Sequence, residues 1–131
     1  MTKELSPDIF RVIDANLNRL KEGIRVVEDI ARYKNNDKEL SLALKNLRHL
    51  AKIENLTPLL NGRDSLNDVL RPSTASEMQR ETLQTIITAN FKRAQESSRV
   101  LEEIYKLTDG SLSETFKHIR YTLYTLEKEF I

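Results

Sequence analysis

Residues 13–33 read IDANLNRLKEGIRVVEDIARY, and residues 87–107 read ITANFKRAQESSRVLEEIYKL. In the first, Ile13, Leu17, Leu20, Ile24, Val27 and Ala31 recur at spacings of three and four, which places them on one face of a helix. Aligned on the second, the apolar positions drift: Leu17 becomes Phe91, Leu20 becomes Ala94, Ile24 becomes Ser98 and Val27 becomes Leu101. The polar positions do not drift. Asn16/Asn90, Arg19/Arg93, Glu22/Glu96, Arg25/Arg99 and Glu28/Glu102 are identical. Further on, LKNLRHL from Leu44 matches FKHIRYT from Phe116, at a slightly shorter offset. The chain therefore holds two similar helical hairpins with turns of different length. Neither can bury its apolar stripe alone, so the pattern predicts an all-α four-helix bundle with a pseudo-two-fold axis, an internal duplication joined by a long crossover.

Start and stop signals set the expected boundaries. Ser6-Pro7-Asp8 opens a first helix reaching about Tyr33, because Ser6 can cap, Pro7 suits the first turn and Asp8 suits the positive end of the helix dipole. Asp37 caps a second helix carrying Leu40, Leu44, Leu47 and Ala51. Thr74-x-x-Glu77 and Ser111-x-x-Glu114 have the form of capping boxes for a third helix, to about Leu107, and a fourth, with Asp109-Gly110 between them. The expected organisation is a single helical domain over 1–131: one hairpin at about 7–55, a crossover at about 56–73 and a second hairpin at about 74–130. The crossover holds two of the three prolines and at most a turn of helix. Loops of that length in compact domains are often functional.

Composition narrows the function classes. With 21 basic and 20 acidic residues the net charge is +1, so no global field draws the chain to nucleic acid or membrane. Cysteine is absent, which removes disulfides, thiolate metal sites and thiol nucleophiles. No segment approaches the roughly 20 apolar residues that span a bilayer, and MTKELSPDIF lacks a signal-peptide core, so a cytoplasmic location is expected.

The repeated polar face admits two readings. Arg and Glu three or four residues apart form surface pairs worth about 0.2–0.5 kcal/mol each, and a duplicated sequence keeps them by descent. Alternatively, two helices presenting Asn, Arg and Glu across an axis make a polar site, with Arg forks for phosphate and carboxylates for a metal or hydroxyl. Helix geometry places Glu22 nearly opposite the apolar stripe, with Asn16 and Glu28 flanking it.

The blocks IDANLNRLKEGIRVVEDIARY, LKNLRHL, GRDSLNDV, ANFKRAQESSRVLEEIYKL and IRYTLYTLEKEF resemble, in that order, a helical domain of bacterial thiamine biosynthesis. That domain often precedes thiamine-phosphate synthase and also occurs alone, and has been assigned as a hydroxymethylpyrimidine phosphate kinase. The resemblance covers Arg11 to about Phe130. It implies phosphoryl transfer from ATP, with Mg²⁺, to hydroxymethylpyrimidine phosphate, giving the pyrophosphate that the synthase consumes. It places characteristic residues on Asn16, Arg19, Glu22, Arg25, Arg48, His49, Arg63, Asp64, Asp68, Asn90, Arg93, Glu96, Arg99 and Glu102. Two departures stand out: Leu70 where the family usually has Gly, and Ser97-Ser98 where it usually has Ala-Leu.

Residue chemistry assigns roles within that set. There is no Walker-type loop and no kinase catalytic-loop signature. Phosphoryl transfer needs chiefly positioning and charge neutralisation, so arginines with carboxylate-held Mg²⁺ suffice. Arg25, Arg99, Arg63, Asp64 and Asp68 are the expected catalytic set. Asp64 and Asp68 are also the expected Mg²⁺ ligands, against their use as turn former and cap. Asn16, Arg19, Glu22, Arg48, His49, Asn90, Arg93, Glu96 and Glu102 are the expected substrate and nucleotide contacts. The acceptor oxygen is already ionised, so His49 is a hydrogen-bond partner or a helix residue rather than a base. His118 is expected to be structural, and Tyr121 and Tyr124 to fill the core. The competing reading is a non-catalytic module of the thiamine pathway that associates with thiamine-phosphate synthase. A homo-oligomer fits either.

Overall fold

The computed structural model describes residues 5–130, the side chain of Ser76 aside. The helices are α1 (Pro7–Asp29), α2 (Lys38–Leu50), α3 (Thr57–Gly62), α4 (Ala75–Met78), α5 (Leu83–Tyr105) and α6 (Gly110–Glu129). No strand occurs among the described residues. The repeated helices α1 and α5 pack on each other, α2 packs on α1, α6 packs on α5, and α2 meets α6. These contacts close a four-helix bundle, as the repeat predicts.

The core is the predicted stripe. Ile13, Leu20, Ile24, Val27 and Ala31 of the first hairpin meet Phe91, Leu101, Phe116, Ile119 and Leu123 of the second, all fully buried. Phe91 meets Phe130 edge-on at 5.5 Å, and Tyr105 stacks on Phe116 at 5.9 Å. Ser98, on the core stripe, donates to the Phe116 carbonyl at 2.6 Å, and Ser97 donates to that of Arg93 at 2.7 Å. Both departures from the usual Ala-Leu are therefore satisfied internally. Tyr121 and Tyr124 are exposed rather than in the core, their rings flanking the Arg120 guanidinium.

The boundaries differ from expectation where caps compete. α1 ends in a π-turn over Ile30–Lys34, and Asn36 takes a positive φ of 49° before Asp37 caps α2 through the Leu40 amide. This longer turn accounts for the change of offset between the hairpins. Thr74 does cap through the Glu77 amide, but only the short α4 follows; α5 starts afresh at Leu83, where Thr82 accepts from Thr85 N at 3.1 Å. Asp109, not Ser111, caps α6, accepting from the amides of Ser111 and Leu112. The connection between the hairpins thus runs from 51 to 82 and carries two short helices.

At the α1–α5 crossing, a Cβ on Gly23 would lie 3.0 Å from the Asn90 carbonyl oxygen and 3.4 Å from the Ala94 Cβ. Gly23→Ala would gain about 1 kcal/mol in helix propensity. It is nonetheless expected to cost about 1–3 kcal/mol net, because the obstacle is backbone and the helices must separate. A Cβ at Gly110 meets nothing within 4 Å. Gly110→Ala is therefore expected to stabilise by about 0.4–1 kcal/mol. Urea unfolding of both variants checks the opposite signs.

Candidate functional site

Each repeated polar pair can now be asked what its two copies touch. Asn16 donates to the Val12 carbonyl and Asn90 to that of Ile86, both at 2.9 Å. Arg25 pairs with Asp29 at 3.3 Å, and Arg99 pairs with Glu103 at 3.1 Å, each one helical turn on. Glu28 accepts from Arg48 on α2 through both carboxylate oxygens, at 2.7 and 3.1 Å. Its copy Glu102 is held by Arg120 on α6 at 2.9–3.0 Å, and also by Arg99 at 3.3 Å. The Glu28 and Glu102 side chains are almost fully buried, so these are the polar ties inside each hairpin. Much of the repeat is thus a structural lattice.

Arg19, Arg93 and Glu22 are different. Among the described residues their side chains enter no ion pair or hydrogen bond, and all three line one cleft of about 700 Å³. Its floor is the first half of α1, with Asp8, Arg11, Asp14, Asn16 and Asn18, and its far wall is Arg93 of α5. Its lid is the unduplicated crossover, with Arg63, Asp64, Ser65 and Asp68.

The crossover is fixed at the mouth of this cleft. α3 packs on α1, and Gly62 lies so close that a Cβ there would stand 3.0 Å from the Pro7 carbonyl oxygen and 3.3 Å from the Arg11 amide. Arg11 Nη2 donates to the Asp64 carbonyl at 2.9 Å. Arg63 forks onto Asp14, with Nε to Oδ2 and Nη2 to Oδ1, both at 2.7 Å. Asp64 accepts from the Asn67 side-chain amide at 2.7 Å and from its backbone amide at 3.2 Å. Asp68 Oδ1 accepts from Leu70 N at 3.0 Å. Leu70 lies outside the positive-φ region, which only Asn36 enters among described non-glycine residues. A side chain in place of the usual Gly therefore strains nothing there.

The Asn67 side-chain amide, followed by its backbone amide, holds the Asp64 carboxyl below its ordinary value. A depressed carboxyl contributes its stabilisation fully above about pH 4 and loses it as pH falls through the lower folded value. The 64–67 turn is therefore expected to persist through mildly acidic conditions and loosen only below about pH 4. Following the Asn67 side-chain amide resonances with pH checks this.

Seven of the expected residues meet at this cleft: Asn16, Arg19, Glu22, Arg63, Asp64, Asp68 and Arg93. Arg25, Arg48, His49, Asn90, Glu96, Arg99 and Glu102 do not line it. Arg48 and Glu102 sit in the internal ion pairs, and His49 and Glu96 are exposed elsewhere. The lining adds Asp8, Arg11, Asp14 and Asn18, which sequence reasoning missed. One signal was available: their positions in the second half hold Thr82, Thr85, Thr88 and Lys92, so all four are polar breaks in the repeat. As to a cation, no group of three or more His, Asp or Glu side chains capable of holding a metal occurs among the described residues. Asp64 spends both oxygens on Asn67, and Asp68 commits only Oδ1. Asp68 Oδ2 is therefore the carboxylate oxygen of this pair that these contacts leave open to a cation. No helix among the described residues is long and apolar enough to cross a membrane.

The fold and site define a duplicated helical bundle with an arginine-lined polar cleft between α1, α5 and the crossover. The ThiD2 family model matches residues 11–129, and the chain belongs to that family. It is 43% identical to the thiamine-phosphate synthase of Thermosynechococcus vestitus, over 90% of this chain and 34% of that protein. It is 38% identical to that of Nostoc punctiforme, over 94% of this chain and 35% of that protein. It is 37% identical to that of Rhodopirellula baltica, over 98% of this chain and 36% of that protein. The chain thus spans about a third of the length of these curated relatives. Family and relatives together place it in thiamine biosynthesis. No solved structure matches the chain.

Proposed function

We propose that the chain transfers a phosphoryl group from ATP to hydroxymethylpyrimidine phosphate, forming the pyrophosphate that thiamine-phosphate synthase consumes. One observation carries this reading. Arg19 and Arg93, counterparts in the two halves, line the same cleft without an internal partner. Unpaired guanidiniums facing one cavity are what a polyphosphate site requires. In the transfer, an ionised oxygen of the acceptor phosphate bonds to the γ-phosphorus, the bond to the β-phosphate oxygen breaks, and ADP leaves with the electron pair. Arg19, Arg63 and Arg93 hold phosphate oxygens and offset charge. Asp68, which commits only Oδ1 to Leu70 N, is the carboxylate that would hold Mg²⁺ brought in with ATP, and the ion would supply neutralisation of phosphate charge. The cleft lines its four arginines with five carboxylates, so a polyphosphate neutralised by a metal would be repelled less than the bare polyanion.

The test is incubation of purified protein with ATP, Mg²⁺ and hydroxymethylpyrimidine phosphate, with detection of the pyrophosphate by mass. Product in excess over protein supports the reading. Binding without turnover would instead favour a pathway module associated with thiamine-phosphate synthase, the second reading, which is favoured by the recurrence of this region as a third of those relatives. A site built on charge pairing leaves its cations unsatisfied by a neutral alcohol. The unphosphorylated pyrimidine alcohol is therefore expected to turn over at least about a hundredfold more slowly, and comparable rates would contradict the phosphate-gripping site.

A further inference from the structure

Among the carboxylates lining the cleft, Asp14 alone is buried, at 7% exposure, on α1 beside the core residue Ile13. Burial of an ionised carboxylate is tolerated only with strong partners, and Asp14 has them. Arg63 forks onto it at 2.7 Å through both bonds, and Asn18 Nδ2 donates to Oδ1 at 3.3 Å. The geometry of the fork matters. Asp14 takes the Nε and inner Nη2 hydrogens of Arg63, the side-on edge of the guanidinium. One Nη1 hydrogen and the outer Nη2 hydrogen remain on the adjacent, end-on edge. The Arg63 side chain is 45% exposed and lines the cleft. Arg63 can thus grip a phosphate on one edge while Asp14 holds the other.

The pair is also what breaks the two-fold. Asp14 corresponds to Thr88 in the second half, and Arg63 lies in the crossover, which has no duplicate. A site shared across a pseudo-symmetric axis must still distinguish two unlike ligands, and this pair adds a cation to one end only.

We infer that Asp14 is a positioning residue: it holds Arg63 of the crossover by the side-on edge, so that the end-on edge faces the phosphate of the pyrimidine substrate. The role rests on the phosphoryl-transfer reading for its substrate, but it is set by a contact independent of catalysis. In Asp14→Asn only one acceptor remains, and the amide N–H groups face the guanidinium, so the fork is lost. Asp14→Glu keeps the charge and both acceptors.

The test is a double-mutant cycle of Asp14→Asn with Arg63→Ala, read on kcat/KM for hydroxymethylpyrimidine phosphate and on its dissociation constant by calorimetry. Asp14→Asn alone is expected to lose at least tenfold in each, and Asp14→Glu to recover at least threefold of that. In the Arg63→Ala background, Asp14→Asn should add less than threefold, because its effect runs through Arg63. Equal losses in both backgrounds would make Asp14 a purely structural carboxylate and overturn the inference. If the parent binds the pyrimidine phosphate without turnover, phosphoryl transfer fails, yet the cycle read on binding still decides the role of Asp14. If the parent does not bind it, both fall. If Asp14→Asn does not fold, Asp14→Thr, which installs the residue of its counterpart Thr88 and also removes the fork, gives the same comparison in the two Arg63 backgrounds.

Discussion

Arg48→Ala and Arg120→Ala are each expected to destabilise the bundle by about 3–5 kcal/mol, with Tm falling by roughly 10 °C or more. The size follows from burial. Arg48 keeps only 17% of its side chain exposed and Glu28 only 2%; Arg120 and Glu102 keep 11% and 4%. Removing the arginine leaves a carboxylate stranded between helices with too few donors to replace its lost hydration. An exposed pair would lose only about 0–1 kcal/mol by the same change. Replacing both members, as in Glu28→Leu with Arg48→Met, is expected to restore most of the loss, since no charge is then left buried. Guanidinium unfolding followed by circular dichroism decides it. A loss below 1 kcal/mol in either single variant would remove these pairs as the ties of the hairpins.

Those two ion pairs also show how far the sequence could be read. The apolar spacing of α1, the 74-residue echo of its polar face and the differing turn length were enough to specify the helical bundle. They could not say which repeated residues face inward to a partner and which face a ligand. Glu28 and Glu102 flank the apolar stripe as Asn16 does, and only the arrival of Arg48 and Arg120 from the neighbouring helices separates them. Capping boxes misled for a related reason. Thr74 and Thr82 both cap in the structure, and a local signal cannot tell which of two adequate caps opens the long helix. The crossover has no counterpart in the repeat, and four of its residues line the cleft. Its attachment to α1 through Asp14 and Arg11 is long-range, with no local trace beyond a polar break in the repeat.

Within the duplicated face, Arg19→Ala and Arg93→Ala are expected to reduce kcat/KM by about a hundredfold each, roughly 2.7 kcal/mol of transition-state stabilisation, with Tm close to that of the parent. Neither side chain has an internal partner to lose, and both face the cleft where transferred charge would gather. Arg25 and Arg99 provide the contrast. They come from the same repeat, but both are more than half exposed and tied one turn along their own helices. Alanine there should change kcat/KM less than threefold, and stability by no more than surface pairs contribute, about 0–1 kcal/mol. Arg99 is the more sensitive of the two, because it also touches the buried Glu102. Steady-state kinetics and melting of the four variants separate the possibilities. Losses concentrated at Arg25 and Arg99 would move the reacting phosphates along α1 and α5, away from the crossover. Losses confined to Tm would make the entire repeated face a scaffold. The predicted division, with activity at Arg19 and Arg93 and little change at Arg25 and Arg99, follows from one fact of geometry. A duplicated helix shows the same residues twice, but the crossover closes over only one end of the pair, and only charges beneath it can act on a ligand held there.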